Sequence, residues 1–149
     1  MNHYNFISKS EQDTKIFAKK LASKLHKKDV VILNGELGSG KTKFTEGFLS
    51  FYGLENEISS PTFNIVNEYN KNGLYIFHFD VYRLEDIDEF YAIGGDEYFD
   101  KGICLIEWGE LIKECLPPNS IFISFKKDNE NESIRTLSID SPIDLSDIL

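Results

Sequence analysis

Hydrophobic positions in the first part of the chain recur first with a helical and then with a strand period. Phe17, Leu21 and Leu25 recur every four residues behind Ser10, which predicts a helix with a polar cap at its N-terminus. Residues 29–33 form an apolar, β-branched run of strand length. This region is therefore predicted to fold as a helix followed by a buried strand.

A second helix is predicted shortly after that strand. Phe44, Phe48 and Phe51 fall at helical spacing within residues 43–52, and Gly53 follows as a stop signal. The order of strand, glycine-rich loop and helix is the setting in which phosphate-binding loops occur.

The middle of the chain carries the pattern of a β-hairpin. Residues 63–69 and 74–80 read as strands, and residues 70–73 between them carry strong turn signals. Because side chains alternate across a strand, His78 and Asp80 are expected on the same face.

The second half of the chain alternates short helical and strand patterns. The predicted elements are an acidic helix at 85–92, a buried strand at 102–108, a short helix at 110–115, and alternating strands at 120–125 and 133–139. The tail at 140–149 is acidic and is predicted to fray. The length of 149 residues predicts one domain spanning residues 1–149.

Composition and charge narrow the class of protein. Hydrophobic residues make up 41% of the chain, enough for a sizeable core, and the formal net charge is −9. That charge argues against a large direct footprint on nucleic acid. The acidity is concentrated at 85–100 and 128–147, which is either a solvated surface or a docking face for a basic partner.

The cysteines and the N-terminus indicate a cytoplasmic protein. Cys104 and Cys115 form no metal-binding pattern and are expected as reduced thiols. The first residues lack a basic region followed by an apolar stretch, and no run approaches membrane-spanning length. We therefore expect a cytoplasmic protein without a membrane partner.

The strongest chemical signal is an eight-residue segment that matches G-x-x-x-x-G-K-T, the P-loop pattern for nucleoside triphosphates. Its residues are Gly35, Glu36, Leu37, Gly38, Ser39, Gly40, Lys41 and Thr42. Glycines let backbone N–H groups point at phosphate oxygens, Lys41 can reach the β- and γ-phosphates, and Thr42 can ligate Mg²⁺. We include the adjacent Lys43 among the candidate nucleotide-binding residues. The alternative is a glycine-rich turn with an accidental lysine.

A P-loop enzyme also needs a carboxylate at the end of a neighbouring strand. Glu107 has that setting after the buried run 103–106 and is the predicted second metal ligand. Asp80 also ends a strand and is a candidate catalytic residue beside Lys41; it could orient or deprotonate water, complete the metal shell, or simply cap a turn. Trp108 could stack on a base or a partner, or lie in the core.

A polar loop follows the second predicted helix. Ser60, Pro61 and Thr62 lie where a loop could become ordered against a γ-phosphate and so form a switch that a partner reads. The alternative is a strand entry fixed by Pro61.

Four ordered motifs together resemble the TsaE family, formerly YjeE, small bacterial ATPases needed for the threonylcarbamoyladenosine modification of tRNA. The motifs are the segment 35–42, Ser60-Pro61-Thr62-Phe63, His78-Phe79-Asp80-Val81-Tyr82-Arg83-Leu84, and Glu107-Trp108. The resemblance runs from the first predicted helix to the strand at 120–125, and the C-terminal segment carries no matching signature.

The resemblance implies an α/β P-loop fold with a mixed sheet flanked by helices. It implies ATP hydrolysis with Mg²⁺, slow in isolation, and assembly with TsaD and TsaB, so that tRNA is reached only indirectly. It assigns Thr42 and Glu107 to the metal and makes Asp80 important for activity. It also points to Ser10 and Glu11 as neighbours of the nucleotide base.

Two other functions compete with this ATPase hypothesis. A small-molecule kinase would need an acceptor pocket and usually an arginine-bearing lid, and the chain has just two arginines, Arg83 and Arg135. A nucleotide-dependent adaptor that does not hydrolyse ATP would use the same binding residues.

Overall fold

The structure, a computed structural model, describes residues 1–36, 38–57, 65–81 and 84–149. Its strands are β1 (Asn2–Ser8), β2 (Val30–Asn34), β3 (Val66–Lys71), β4 (Leu74–Asp80), β5 (Ile103–Glu107), β6 (Ile121–Lys127) and β7 (Arg135–Ser141). Its α-helices are α1 (Glu11–Ala22), α2 (Lys41–Ser50) and α3 (Ile87–Ala92). Short 3₁₀ helices cover Glu55–Glu57, Gly95–Asp100, Gly109–Cys115 and Ser146–Ile148.

All seven strands form one mixed sheet in the order β1-β7-β6-β2-β5-β4-β3. The central strand β2 is parallel to both β5 and β6, and β4 is parallel to β5. Antiparallel pairs complete the two sides, with β3 beside β4, and with β7 and β1 beyond β6. The predicted α/β fold with a mixed sheet flanked by helices is confirmed. Its parallel strands bring the carboxyl ends of β2, β4 and β5 to one edge.

Two hydrophobic cores cover the two faces of the sheet. One holds the apolar sides of α1 and α2, where Phe17, Phe44 and Phe48 are almost fully buried. The other lies under α3 and the 3₁₀ helices Gly95–Asp100 and Gly109–Cys115, around Phe79 and Phe90. No helix in the described parts of the chain is long and apolar enough to cross a membrane.

Helices α1 and α2 approach each other closely at Gly47. A Cβ atom at this position would lie only 2.3 Å from the backbone oxygen of Lys15, so the helices can meet here only because Gly47 has no side chain. The contact holds α2 against α1, and Lys41 and Thr42 form the first turn of α2.

The tail differs from the sequence-based expectation. It was predicted to fray from residue 140, but residue 140 lies within β7, and Leu145 is fully buried. The backbone N–H of Leu145 donates to the Tyr4 hydroxyl at 3.0 Å, and that hydroxyl donates to Asp144 at 3.1 Å. The prediction rested on the acidic composition of this segment and overlooked two apolar residues that pack into the core, Leu145 and Ile148.

Strand β1 was not predicted. Burial alternates along this strand, and Tyr4 and Phe6 pack against the core, but the apolar Ile7 lies on the outer face at 59% exposure and breaks the alternation of apolar and polar residues in the sequence. The strand forms through its pairing with β7, in which Asn2 lies opposite Ser141. A partner so distant in sequence leaves no local signal.

Candidate functional site

The glycine-rich loop, residues 35–42, leads from β2 into α2 at the carboxyl edge of the sheet. Gly40 occupies the N-cap position of α2 with φ 112°, a left-handed conformation that side chains disfavour. Within the described chain, this cap makes no side-chain hydrogen bond, and the first turn of α2 carries no acidic residue. The N–H groups of this turn and the helix dipole are therefore open to an anion.

Lys41 is the central cation of the site, although it is 6% exposed. Its Nζ lies 3.7 Å from Glu107 Oε1 and 4.2 Å from the centre of the Trp108 ring. Burial lowers the pKa of Lys41, and the negative charges of Glu107 and Asp80 act in the opposite direction. The ammonium is thus held at the mouth of the loop by one carboxylate and one aromatic face.

Glu107 ends β5, directly opposite Asp80 at the end of β4. Its Oε2 lies 2.6 Å from His78 Nε2, and its side chain is 15% exposed. Burial by itself would raise the pKa of Glu107, but the hydrogen bond with His78 and the charge of Lys41 hold it below its usual value. Glu107 is therefore an ionised carboxylate near neutral pH.

Trp108 immediately follows this carboxylate and has φ 64°, which is unusual for a residue with a side chain. Its backbone N–H donates to the Leu33 carbonyl at 3.3 Å, and the residue is 37% exposed. A strained backbone fixed by a neighbouring strand is characteristic of functional sites. Trp108 lies at the surface of the site and not in the core, so one of the alternatives from the sequence is removed.

Most of the predicted site residues meet in one cleft of about 880 Å³. Those that line it are Ser10, Glu11, Gly38, Gly40, Lys41, Thr42, Lys43, Asp80, Glu107 and Trp108. Ser10 caps α1 by accepting a hydrogen bond from the Asp13 N–H at 3.1 Å, which places the start of α1 beside the loop.

The other predicted residues are placed differently. Gly35 packs against the strand residue Phe125, and Glu36 is exposed while its carbonyl accepts a hydrogen bond from the Ser39 N–H at 3.0 Å. Ser39 is buried, and its hydroxyl oxygen has no partner among the described residues. Leu37, Ser60, Pro61 and Thr62 lie outside the described residues, as does Arg83.

The polar groups of the cleft fit a phosphate ligand with a divalent cation. The uncapped N-terminus of α2 presents backbone N–H donors to an anion, and Lys41 adds a positive charge. In the described ranges no cluster of three His, Cys, Asp or Glu side chains forms a metal cage. Thr42, Glu107 and Asp80 instead suit Mg²⁺, which takes one or two carboxylates and completes its shell with water and phosphate oxygens.

Sequence reasoning missed the cations that the β6–β7 hairpin brings to the loop. Arg135 lines the cleft and donates from Nη2 to the Gly38 carbonyl at 3.4 Å. A Cβ at Gly38 would lie 3.2 Å from the Lys127 ammonium, and Lys127 pairs with Arg135 across the two strands. The only signal in the sequence for these residues was that arginine is rare in this chain. Their position beside the loop could not be predicted, because the position of the hairpin depends on pairing between distant strands.

The fold and the site define a class: an α/β protein with a mixed sheet, in which a G-x-x-x-x-G-K-T loop joins the central strand to a helix. Comparison with known proteins then identifies the family. The model of the family described as "Threonylcarbamoyl adenosine biosynthesis protein TsaE" matches residues 8–136, and the chain belongs to this family.

Individual relatives agree with this assignment. The chain is 41% identical over 133 residues to the tRNA threonylcarbamoyladenosine biosynthesis protein TsaE of Bacillus subtilis, covering 89% of this chain and 83% of the relative. It is 38% identical to the Rickettsia felis protein of the same name, covering 91% and 80%. The crystal structure of Bacillus subtilis YdiB superposes with a TM-score of 0.73 at 33% identity, covering 94% of this chain and 86% of that one.

Proposed function

We propose that this protein is a Mg²⁺-dependent ATPase of tRNA threonylcarbamoyladenosine biosynthesis that acts with the TsaD–TsaB complex. The observation that carries the ATPase proposal is the cleft in which the uncapped start of α2, Lys41 and two strand-end carboxylates meet. Membership of the TsaE family supports the place of this activity in tRNA modification.

The glycine-rich loop binds the phosphates of ATP. Its backbone N–H groups and the N-terminus of α2 donate to phosphate oxygens, and Ser39 supplies a further donor. Lys41 leaves Glu107, which lies 3.7 Å away, and neutralises charge on the phosphates. Exchange of one anionic partner for another keeps the buried ammonium compensated.

Thr42 and Glu107 would hold Mg²⁺, and the ion would supply positive charge beside the transferred phosphoryl group. Asp80, opposite Glu107 at the end of the adjacent strand, accepts a hydrogen bond from the attacking water and orients it. Trp108 and the start of α1 at Ser10 and Glu11 border the nucleotide base and ribose, because they line the same cleft.

The partnership with TsaD and TsaB rests on the family and on charge. The formal net charge of −9 disfavours a direct grip on tRNA and suits docking to a basic protein surface. In this proposal the segment Ser60–Thr62 responds to the γ-phosphate and changes the face offered to the partners.

The test follows the γ-phosphate of labelled ATP, with and without purified TsaD and TsaB, in the presence and absence of Mg²⁺. We expect slow release of free phosphate by the protein alone and a changed rate with the partners. Glu107→Gln should retain nucleotide binding and lose most of the Mg²⁺-dependent turnover, whereas the exposed Lys20→Ala on α1 should match the parent. Transfer of phosphate to a metabolite would identify a kinase, and binding without turnover would identify an adaptor.

A further inference from the structure

His78 contacts the carboxylate of Glu107 but has no assigned role in the proposed ATPase. It is 5% exposed within β4, on the same face of the strand as Asp80. Its Nε2 is 2.6 Å from Glu107 Oε2, while the other oxygen of that carboxylate faces Lys41 at 3.7 Å. The two oxygens of Glu107 therefore have different partners.

We propose that His78 is a positioning residue that fixes the Glu107 carboxylate, so that one oxygen stays with the histidine and the other is presented to the glycine-rich loop. This proposal rests on the proposed function, in which Glu107 serves the metal. His78 itself does not touch the ligand; it acts through Glu107.

The length of the glutamate side chain explains why such a residue is needed. P-loop enzymes commonly use aspartate as the strand-end carboxylate, and glutamate adds one methylene and one more rotatable bond. A carboxylate with this extra freedom is poorly aimed unless a second group holds it. The hydrogen bond from His78 removes that freedom, because the ring belongs to a buried strand and cannot follow a moving carboxylate.

The surroundings of the imidazole fix its role as a donor. Nδ1 is buried and has no hydrogen-bond partner among the described residues, so the bond to Glu107 is the ring's polar anchor in that part of the chain. An ionised carboxylate can only accept a hydrogen bond, so the ring carries a proton on Nε2 and donates it to Glu107. This hydrogen bond satisfies one of the buried oxygens of Glu107.

Two variants of His78 separate a hydrogen bond from simple packing. In His78→Gln the side-chain amide nitrogen can reach the position of Nε2 and donate to Glu107, whereas in His78→Asn the shorter amide falls near Nδ1 and cannot. Trp108 is the only tryptophan of the chain and lies over Lys41, so its fluorescence reports ligand binding without turnover. ATP affinity is measured by this signal with and without Mg²⁺.

We expect the affinity for ATP without Mg²⁺ to be similar in the parent and in both variants. The factor by which Mg²⁺ raises the affinity for ATP should be about tenfold or more smaller in His78→Asn, in the range found for groups that orient metal ligands. This factor should be largely restored in His78→Gln. His3→Gln is the matched control, since His3 makes a similar 2.7 Å contact with Asp140 at an exposed site far along the sheet from the loop. Melting temperatures verify that each variant is folded.

A second measurement tests the hydrogen bond directly. The chain has three histidines, and His3 and His26 are exposed, so ¹⁵N-histidine spectra assign His78 readily. We expect a protected ring proton on Nε2 of His78 whose resonance moves upfield in Glu107→Gln, because an amide oxygen is a weaker acceptor than a carboxylate. A ring with its only proton on Nδ1 would overturn the proposal.

The remaining outcomes are also decisive. The positioning role would be overturned if Mg²⁺ raised ATP affinity equally in the parent, His78→Gln and His78→Asn. It would also be overturned if His78→Gln and His78→Asn, both folded, lost this effect of Mg²⁺ to the same extent. If the parent protein binds no ATP, the proposed function fails, and the spectrum of His78 still decides whether the histidine holds Glu107.

Discussion

Two regions of the molecule bury different kinds of side chain. The core between the sheet and helices α1 and α2 buries aromatic rings, whereas the carboxyl edge of β2, β4 and β5 buries polar groups. In the α1–α2 core, Phe17, Phe44 and Phe48 are at most 1% exposed, and the Phe44 ring is tilted against Phe17 and stacked with Phe48. Removal of each of these side chains from water stabilises the folded state. This region stabilises the fold.

The carboxyl edge buries polar groups instead. Lys41 and His78 are at most 6% exposed, and the Ser39 hydroxyl and His78 Nδ1 have no partner in the described parts of the chain. Buried polar groups with incomplete hydrogen bonding reduce stability. Stability therefore comes from the α1–α2 core, whereas the carboxyl edge is arranged for binding, so changes in the two regions should have separable effects.

The largest effect on stability should come from the aromatic core. Phe44→Ala removes a fully buried ring that contacts both Phe17 and Phe125, and should lower the free energy of unfolding by about 3–5 kcal/mol. Urea unfolding followed by circular dichroism measures this. Phe51→Ala, at a ring that is 45% exposed, is the control and should cost about 1 kcal/mol or less. Similar costs for the two variants would contradict the comparison.

The contact between the helices should be the next most sensitive. Gly47→Ala places a methyl group where the backbone of Lys15 stands, so α1 and α2 must separate, at a cost of about 1–3 kcal/mol. Because the shift also moves the start of α2, ATP affinity should fall in the same variant. Unfolding and Trp108 fluorescence measure the two effects. An unchanged melting temperature would show that the helices can move apart freely.

Lys41→Ala should change ATP affinity more than stability, in contrast to Phe44→Ala. It removes a charge that contacts phosphate, so ATP affinity should fall by about tenfold or more, as expected for a charge-assisted hydrogen bond. The free energy of unfolding should change by about 1 kcal/mol or less, because the cost of burying the ammonium disappears with it and Glu107 keeps its bond to His78. A folded variant with unchanged ATP affinity would refute the phosphate-binding role of the loop.

The smallest effect concerns Tyr52, whose hydroxyl donates to the Ala22 carbonyl at 3.3 Å between the ends of α1 and α2. Tyr52→Phe should cost about 0.5–1.5 kcal/mol at neutral pH. Burial, with the charge of Asp29, raises the pKa of Tyr52 from 10.0 to about 12. The resulting stabilisation is fully present below pH 10.0 and is lost as the pH rises towards 12.

The alkaline test compares unfolding of the parent and Tyr52→Phe across this pH window. Burial also raises the pKa of Cys104 to about 12, but this thiol is present in both proteins and cancels in the difference. The gap in stability between the two should narrow as the pH rises. A constant gap would mean that the hydroxyl titrates alike in the folded and unfolded chain.

The sequence predicted those parts of the fold that depend on local periodicity. The strand before the glycine-rich loop, the helix after it and the hairpin of β3 and β4 follow from hydrophobic spacing and turn residues. The neighbouring positions of Asp80 and Glu107 follow from a related principle, since both residues end parallel strands and such ends meet at one edge.

The parts that escaped prediction depend on pairing between distant segments. Nothing near Arg135 indicates that its strand lies next to the glycine-rich loop, and nothing near His78 indicates that the ring bonds Glu107, 29 residues further along the chain. The tail was misjudged for the same reason, because Leu145 finds its partner in Tyr4. Local patterns identify elements, whereas their partners are determined by the assembled sheet.

The pairing of β1 with β7 has a consequence for how the protein is made. A ribosome synthesises β1 well before the strand with which it pairs, Arg135–Ser141. Until β7 emerges, neither edge of β1 is paired, and an unpaired strand edge is the kind of surface that pairs with other chains. Asn2, His3 and Asn5 are the polar residues at exposed positions of β1, and they limit that hazard until β7 is available for pairing.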